Sequence, residues 1–197
     1  MILRLLALPA LLTPLAAHAH HMDGSRLPDT LLAGLLSGLG HPVIGLDHLA
    51  FVIGAGILGA AAGRGPSTVE GFVLGTLAGC LVHLAGVAVI GVETAVGLSL
   101  LALAVAIARG ARGGIGMTLA FAAAGLAHGY AYGESIYGAE PTPVIAYLLG
   151  LTLIQSAIGI ATWWLWSTAT EQGFLRTPWR RGAAAVVGIA GLAALFA

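Results

Sequence analysis

Lysine is absent from this chain, and charged residues of every kind make up only 8% of it, against roughly 25% in an ordinary soluble domain. So little charge cannot cover the surface of a soluble fold of 197 residues with a mean hydropathy of +0.97. A formal net charge of zero leaves no basic field to attract nucleic acid, which is set aside as a partner. Cysteine is nearly missing too. Cys80 stands alone, so no intramolecular disulfide can form, and its place in an apolar run makes it a small core residue. No HExxH occurs, and neither Ser135 nor Ser156 has a Gly-x-Ser-x-Gly setting, so a membrane protease is disfavoured and no enzyme is expected. The middle of the chain also lacks a polar stretch long enough to divide it, which implies one transmembrane domain over residues 20–197.

What is present is apolar sequence in blocks. Residues 1–19 carry an early positive charge at Arg4, an apolar stretch from Leu5 to Ala16 and then Ala17-His18-Ala19, the small-x-small pattern of a signal-peptide cleavage site. The competing reading, an uncleaved first span, suffers from Pro9 and Pro14 and from a length short of the ~20 residues a crossing needs. Later apolar runs at 41–62, 69–90, 94–108, 114–132, 143–166 and 180–197 predict an all-α, polytopic transmembrane bundle of about six spans. Leu31 to Leu39 is too short to cross, and Gly40-His41-Pro42 follows it, so it reads as a half-helix or an extension of the first span.

Orientation can be read from the loops. With the mature N-terminus outside, Arg64, Arg109, Arg112, Arg176, Arg180 and Arg181 all fall on the inner side, while Glu93, Glu134 and Glu140 fall outside. Both mature termini are then expected in the periplasm of a cell whose inner membrane holds the chain. Trp163, Trp164, Trp166 and Trp179 bracket the inner end of the fifth span as interfacial anchors. The 30 glycines include rows at intervals of four, among them Gly71/Gly75/Gly79 and Gly125/Gly129/Gly133, which allow close approach of helix backbones.

Ionisable groups inside the bilayer are costly and seldom kept without a task. Here they are Asp47, His48, His83 and His128, with His41, Glu93 and Glu134 at span ends. Counting residues at 1.5 Å each places His48, His83 and His128 about 10 Å in from the outer boundary on three helices. Imidazole with carboxylate suits Zn, Cu, Fe or Ni, and the lack of a thiolate set argues against copper(I) or iron–sulfur chemistry. His41 and His48 are about 10.5 Å apart along a continuous helix, so they share an ion only where the chain unwinds near Pro42 and Gly45. His20 and His21 near the new N-terminus form a weaker metal-capturing candidate. Haem ligation is the competing reading of these histidines, and an absorbance scan separates it from ion binding.

His41-Pro42-Val43-Ile44-Gly45-Leu46-Asp47-His48 resembles the HPxxGxDH motif of the HupE/UreJ family of hydrogenase and urease accessory membrane proteins. The family's second motif, FHGx[AV]HGxE, is similar to Ala127-His128-Gly129-Tyr130-Ala131-Tyr132-Gly133-Glu134. Ala127 stands where that motif has phenylalanine, and Tyr132 where it has a second histidine. The resemblance implies a permease for Ni2+, with Co2+ or another divalent ion as the variant, supplying hydrogenase or urease maturation proteins. The metal residues it and the spacing nominate are His41, Asp47, His48, His83, His128 and Glu134, followed by Glu93, His20, His21 and Tyr132.

Overall fold

A computed structural model describes residues 27–173 and 177–196, and among them every regular element is helical. The helices are α1 (Leu31–Ile44), α2 (Leu46–Ala61), α3 (Ser67–Leu84), α4 (Val92–Arg109), α5 (Ile115–Glu134), α6 (Pro141–Glu171) and α7 (Thr177–Phe196). The signal-peptide segment 1–19, His20, His21 and Arg176 lie outside the described residues.

Local chemistry explains the boundaries. The Thr30 hydroxyl accepts from the Ala33 amide at 3.1 Å and caps α1. Pro141 opens α6, where its missing N–H is no loss. Gly110 ends α4 in the left-handed region at φ 62°. The second apolar run is expected to stay helical to residue 90, but α3 stops at Leu84, where Gly86 turns the chain at φ 76°.

Between α1 and α2 the chain breaks at Gly45, and the two axes differ by 77°. Pro42 removes a helical donor just before the break, and Gly45 leaves the helix with extended backbone at ψ 100°. Packing gives the direction of each half. A Cβ on Gly34 would collide with Pro143 and one on Gly38 with Tyr147, while Gly56 lies against Gly159 and Gly59 against Trp163. Both halves therefore advance along α6 in the same sense. From Pro143 to Trp163 that helix rises about 30 Å, one hydrocarbon thickness, the length that α1 and α2 together need to cross as one broken span.

The remaining helices pair by the same close-packing device. Gly71, Gly75 and Gly79 of α3 meet the backbone of Thr118, Ala122 and Leu126, and Gly125 and Gly129 of α5 meet that of Phe72 and Thr76, so α3 and α5 run parallel. Gly97 meets Leu195 while Gly188 faces Ala104, so α4 and α7 run antiparallel. Three interlocked pairs result, α1 with α6, α3 with α5 and α4 with α7, and α2 touches members of all three.

By length and apolarity α3, α4, α6 and α7 are each able to cross a bilayer, and the broken α1–α2 pair makes a fifth. The expected fourth span, α5, is 20 residues long but is diluted by His128, Tyr130, Tyr132 and Glu134. The outward faces carry large apolar side chains such as Leu46, Leu74, Ile145 and Ile189, all more than half exposed, as a lipid-facing surface requires. Phe51, Phe72, Val96, Leu100 and Ile107 form the core at the centre of the bundle.

Candidate metal site

The break at Gly45 does what the sequence could only make conditional. His41 ends α1 and His48 begins α2, and their ring centroids are 5.9 Å apart rather than a full helix rise of seven residues. His48 then meets His128 of α5, Nδ1 to Nδ1, at 2.9 Å. Both rings are buried, that of His128 completely. Phe51 and Phe72 close over His128 with ring centroids at 4.6 and 5.3 Å.

Hydrogen-bond counting fixes which nitrogens hold protons. The Ser99 hydroxyl of α4 donates to the Val96 carbonyl at 2.7 Å. Its single proton is then used, so the 3.0 Å contact between Ser99 Oγ and His128 Nε2 requires His128 Nε2–H to donate. A neutral His128 consequently carries its lone pair on Nδ1 and accepts from His48 Nδ1–H. The lone pair of His48 lies on Nε2. This tautomer assignment follows from proton bookkeeping in the network.

His41 Nδ1 lies 2.9 Å from the Tyr147 hydroxyl of α6. That hydroxyl also stands 3.2 Å from the Tyr132 carbonyl and 3.2 Å from Ser135 Oγ. Tyr132 occupies the middle of the group, its ring tilted over His48 at 4.2 Å and edge-on to His41 at 5.0 Å. Five helices thus contribute: α1 gives His41, α2 His48, α4 Ser99, α5 His128 and Tyr132, and α6 Tyr147.

The carboxylates sit at the margin. Asp47 is partly buried in the first turn of α2, where the helix N-terminus favours negative charge. Asp47 and Glu134 are both near enough to Glu93 to repel its charge, so three carboxylates share one neighbourhood. Glu93 and Glu134 are exposed.

His83 is elsewhere. Its ring lies against Tyr130 at 4.5 Å and Tyr137 at 5.4 Å, and its Nδ1 is enclosed without a hydrogen-bond partner. The depth expected from residue counting does not by itself bring it to the His48–His128 pair, because depth along a helix leaves the rotational face open. Among the described residues no three His, Cys, Asp or Glu side chains converge closely enough to form a closed metal shell. What the fold does assemble is a histidine pair with a third imidazole beside it and three carboxylates at its margin. Ser99 and Tyr147 are absent from the sequence-based set, since a single hydroxyl in an apolar run gives no spacing signal. Cys80 is buried, as expected of a core residue.

Comparison with known proteins points the same way as the two motifs. Residues 6–194 match the family described as "HupE / UreJ protein". The chain is 30% identical over 162 residues to a protein of Rhizobium leguminosarum bv. viciae described as "Protein HupE", covering 78% of each. No solved structure matches.

Proposed function

The chain belongs to the HupE/UreJ family, and from that premise we propose that it is a permease that takes a divalent transition-metal ion, nickel first among them, through the inner membrane toward hydrogenase or urease maturation. The observation that carries this reading is the His48–His128 contact. Two nitrogens at the usual metal–imidazole distance of about 2.0–2.1 Å, meeting one ion at a right angle, sit about 2.9 Å apart. The Nδ1 atoms are 2.9 Å apart already. Square-planar and octahedral geometries, which have right angles, belong to nickel more than to tetrahedral zinc. To bind an ion through both Nδ1 atoms, His48 moves its proton from Nδ1 to Nε2, and each ring turns in its plane so that the two lone pairs converge on the ion instead of facing each other.

The rest of the site suits a permeant ion better than a resident one. A closed shell of charged ligands would hold an ion tightly. Neutral imidazoles with carboxylates at the margin admit an ion and let it go, which conduction requires. Asp47, Glu93 and Glu134 gather the cation from outside, and His41 and then His48 and His128 receive it. The six-crossing topology supports this route. α1–α2 and α6 run one way, α3 and α5 the other, and α4 opposes α7, as alternate crossings demand, so α5 is taken as a full span. We place the mature N-terminus, following a cleaved signal peptide, and the C-terminus outside.

A haem site fits less well, since Phe51 and Phe72 occupy the space beside His128 that a porphyrin needs. No catalytic role is proposed. Nickel uptake by intact cells tests the reading, with His48→Ala, His128→Ala and Asp47→Asn compared at equal membrane abundance. Each is expected to abolish uptake, and cobalt in excess to compete. Uptake should also fall at acidic external pH, because protonation both blocks the lone pair and adds repelling charge. Normal uptake by His128→Ala would sink the site as drawn.

A further inference from the structure

Proton counting around Gln155 exposes a second layer of this site. The Thr76 hydroxyl of α3 lies 2.8 Å from the Val73 carbonyl and 2.9 Å from the side-chain oxygen of Gln155 as placed. One hydroxyl proton cannot serve two acceptors. At the same time Gln155 Nε2 and the Tyr132 hydroxyl, on two wholly buried residues, lack partners among the described residues, although Gln155 is the polar side chain that acts on that hydroxyl as a hydrogen-bonding neighbour. Buried polar groups without partners are rare enough to require an explanation.

Exchanging the amide oxygen and nitrogen, which have nearly the same shape, removes the Thr76 conflict and turns the amide's acceptor toward the Tyr132 hydroxyl, so that both orphaned groups are satisfied once the two side chains close on each other. Thr76 donates to Val73, Gln155 Nε2 donates to Thr76 Oγ, and Gln155 Oε1 accepts the phenolic proton of Tyr132. We propose that Gln155 is a positioning residue for the imidazole cluster, holding Tyr132 by its hydroxyl so that the ring stays over His48 and against His41. This rests on reading the cluster as a metal site, but the bond itself does not. Gln155 acts from α6 through Tyr132 of α5 on rings carried by α1 and α2. The same bond turns the Tyr132 oxygen toward Gln155, so Tyr132 is a neutral wall of the site and keeps its proton when an ion is present.

The test is a double-mutant cycle of Tyr132→Phe and Gln155→Leu in the purified full chain. It is read by nickel binding and by the ¹⁵N shifts of the His41 and His48 ring nitrogens without metal. Each single change is expected to weaken nickel binding about tenfold, in the range found when groups that orient ligands are lost, and to move the His48 signals. The double variant should be no worse than either single one. Gln155→Glu, which keeps an acceptor for the phenol, should retain wild-type His48 signals and serves if Gln155→Leu does not fold. Unmoved ring signals in Gln155→Leu, or additive losses, would overturn the proposal. If the wild type binds no nickel while the ring signals still respond to Gln155, the metal reading falls and the positioning role stands.

Discussion

Ser99 carries no charge, yet its hydroxyl decides which nitrogen of His128 holds a proton. Removing that acceptor frees the ring to take either tautomer, and half the histidine's preparation for an ion is lost. Ser99→Ala is expected to weaken nickel binding by about tenfold while leaving the fold intact, measured by calorimetry on the purified protein. Unchanged affinity would mean that His128 does not present Nδ1 to the ion. At this scale the sequence is legible wherever chemistry is costly. His48 and His128 are conspicuous in apolar runs because an intramembrane imidazole needs a reason. Gln155 stands in an equally apolar stretch and offered the same signal in weaker form. Ser99 and Tyr147 offered none, since hydroxyls sit in membrane helices at little cost by bonding to their own backbone, as Thr152 and Thr162 do at 2.7 and 2.8 Å. His83 has the same counted depth in the sequence, but its ring lies against Tyr130 and Tyr137.

Among the elements, the α1–α2 break was readable from Pro42 and Gly45, but not its angle, which is set by packing against α6. The glycine rows were readable as rows without their partners, because spacing tells which face is flat and not what lies upon it. The structure supplies the contrast needed to test them. A Cβ on Gly129 would collide with the backbone of Thr76, whereas one on Gly116, at the start of the same helix, would meet nothing within 4 Å. Gly129→Val should therefore separate α5 from α3 and sharply reduce the folded protein in membranes, since overpacking alone costs about 1–3 kcal/mol. Gly116→Ala should leave abundance and uptake at wild-type levels. Quantifying both by immunoblot of membrane fractions decides the matter, and equal abundance of the two variants would contradict the interlocked pair. α5 also explains why counting apolar residues undervalues it. Its inward face is spent on glycine, His128 and Tyr132, so its mean hydropathy falls just where the site is built.

For the whole molecule, arginine placement and helix direction are independent readings of one topology. A reporter active only in the cytoplasm should work when fused after Arg64 or Arg112 and stay silent after Glu93 or Glu140. The reverse pattern would move the imidazoles to the inner half. Beside the site, α2, α4 and α5 leave a cavity of about 710 Å³ lined by Phe51, Ser99, Leu103, Phe121 and Arg112. Bridging Ala106→Cys on α4 to Ala120→Cys on α5 with a thiol-reactive linker, in a Cys80→Ala background, should stop uptake without altering nickel binding. Continued uptake by fully bridged protein would show that this seam need not open. The glycine-locked pairs give that seam its meaning. Backbones pressed together at every fourth residue cannot slide or part without breaking several contacts at once, so each pair has few internal degrees of freedom and behaves as a rigid plate. Freedom is left only in the hinges between plates. The imidazoles are divided among α1, α2 and α5, so a few degrees of plate rotation would pull their nitrogens apart. On the proposed function, the ligand shell would also be the latch.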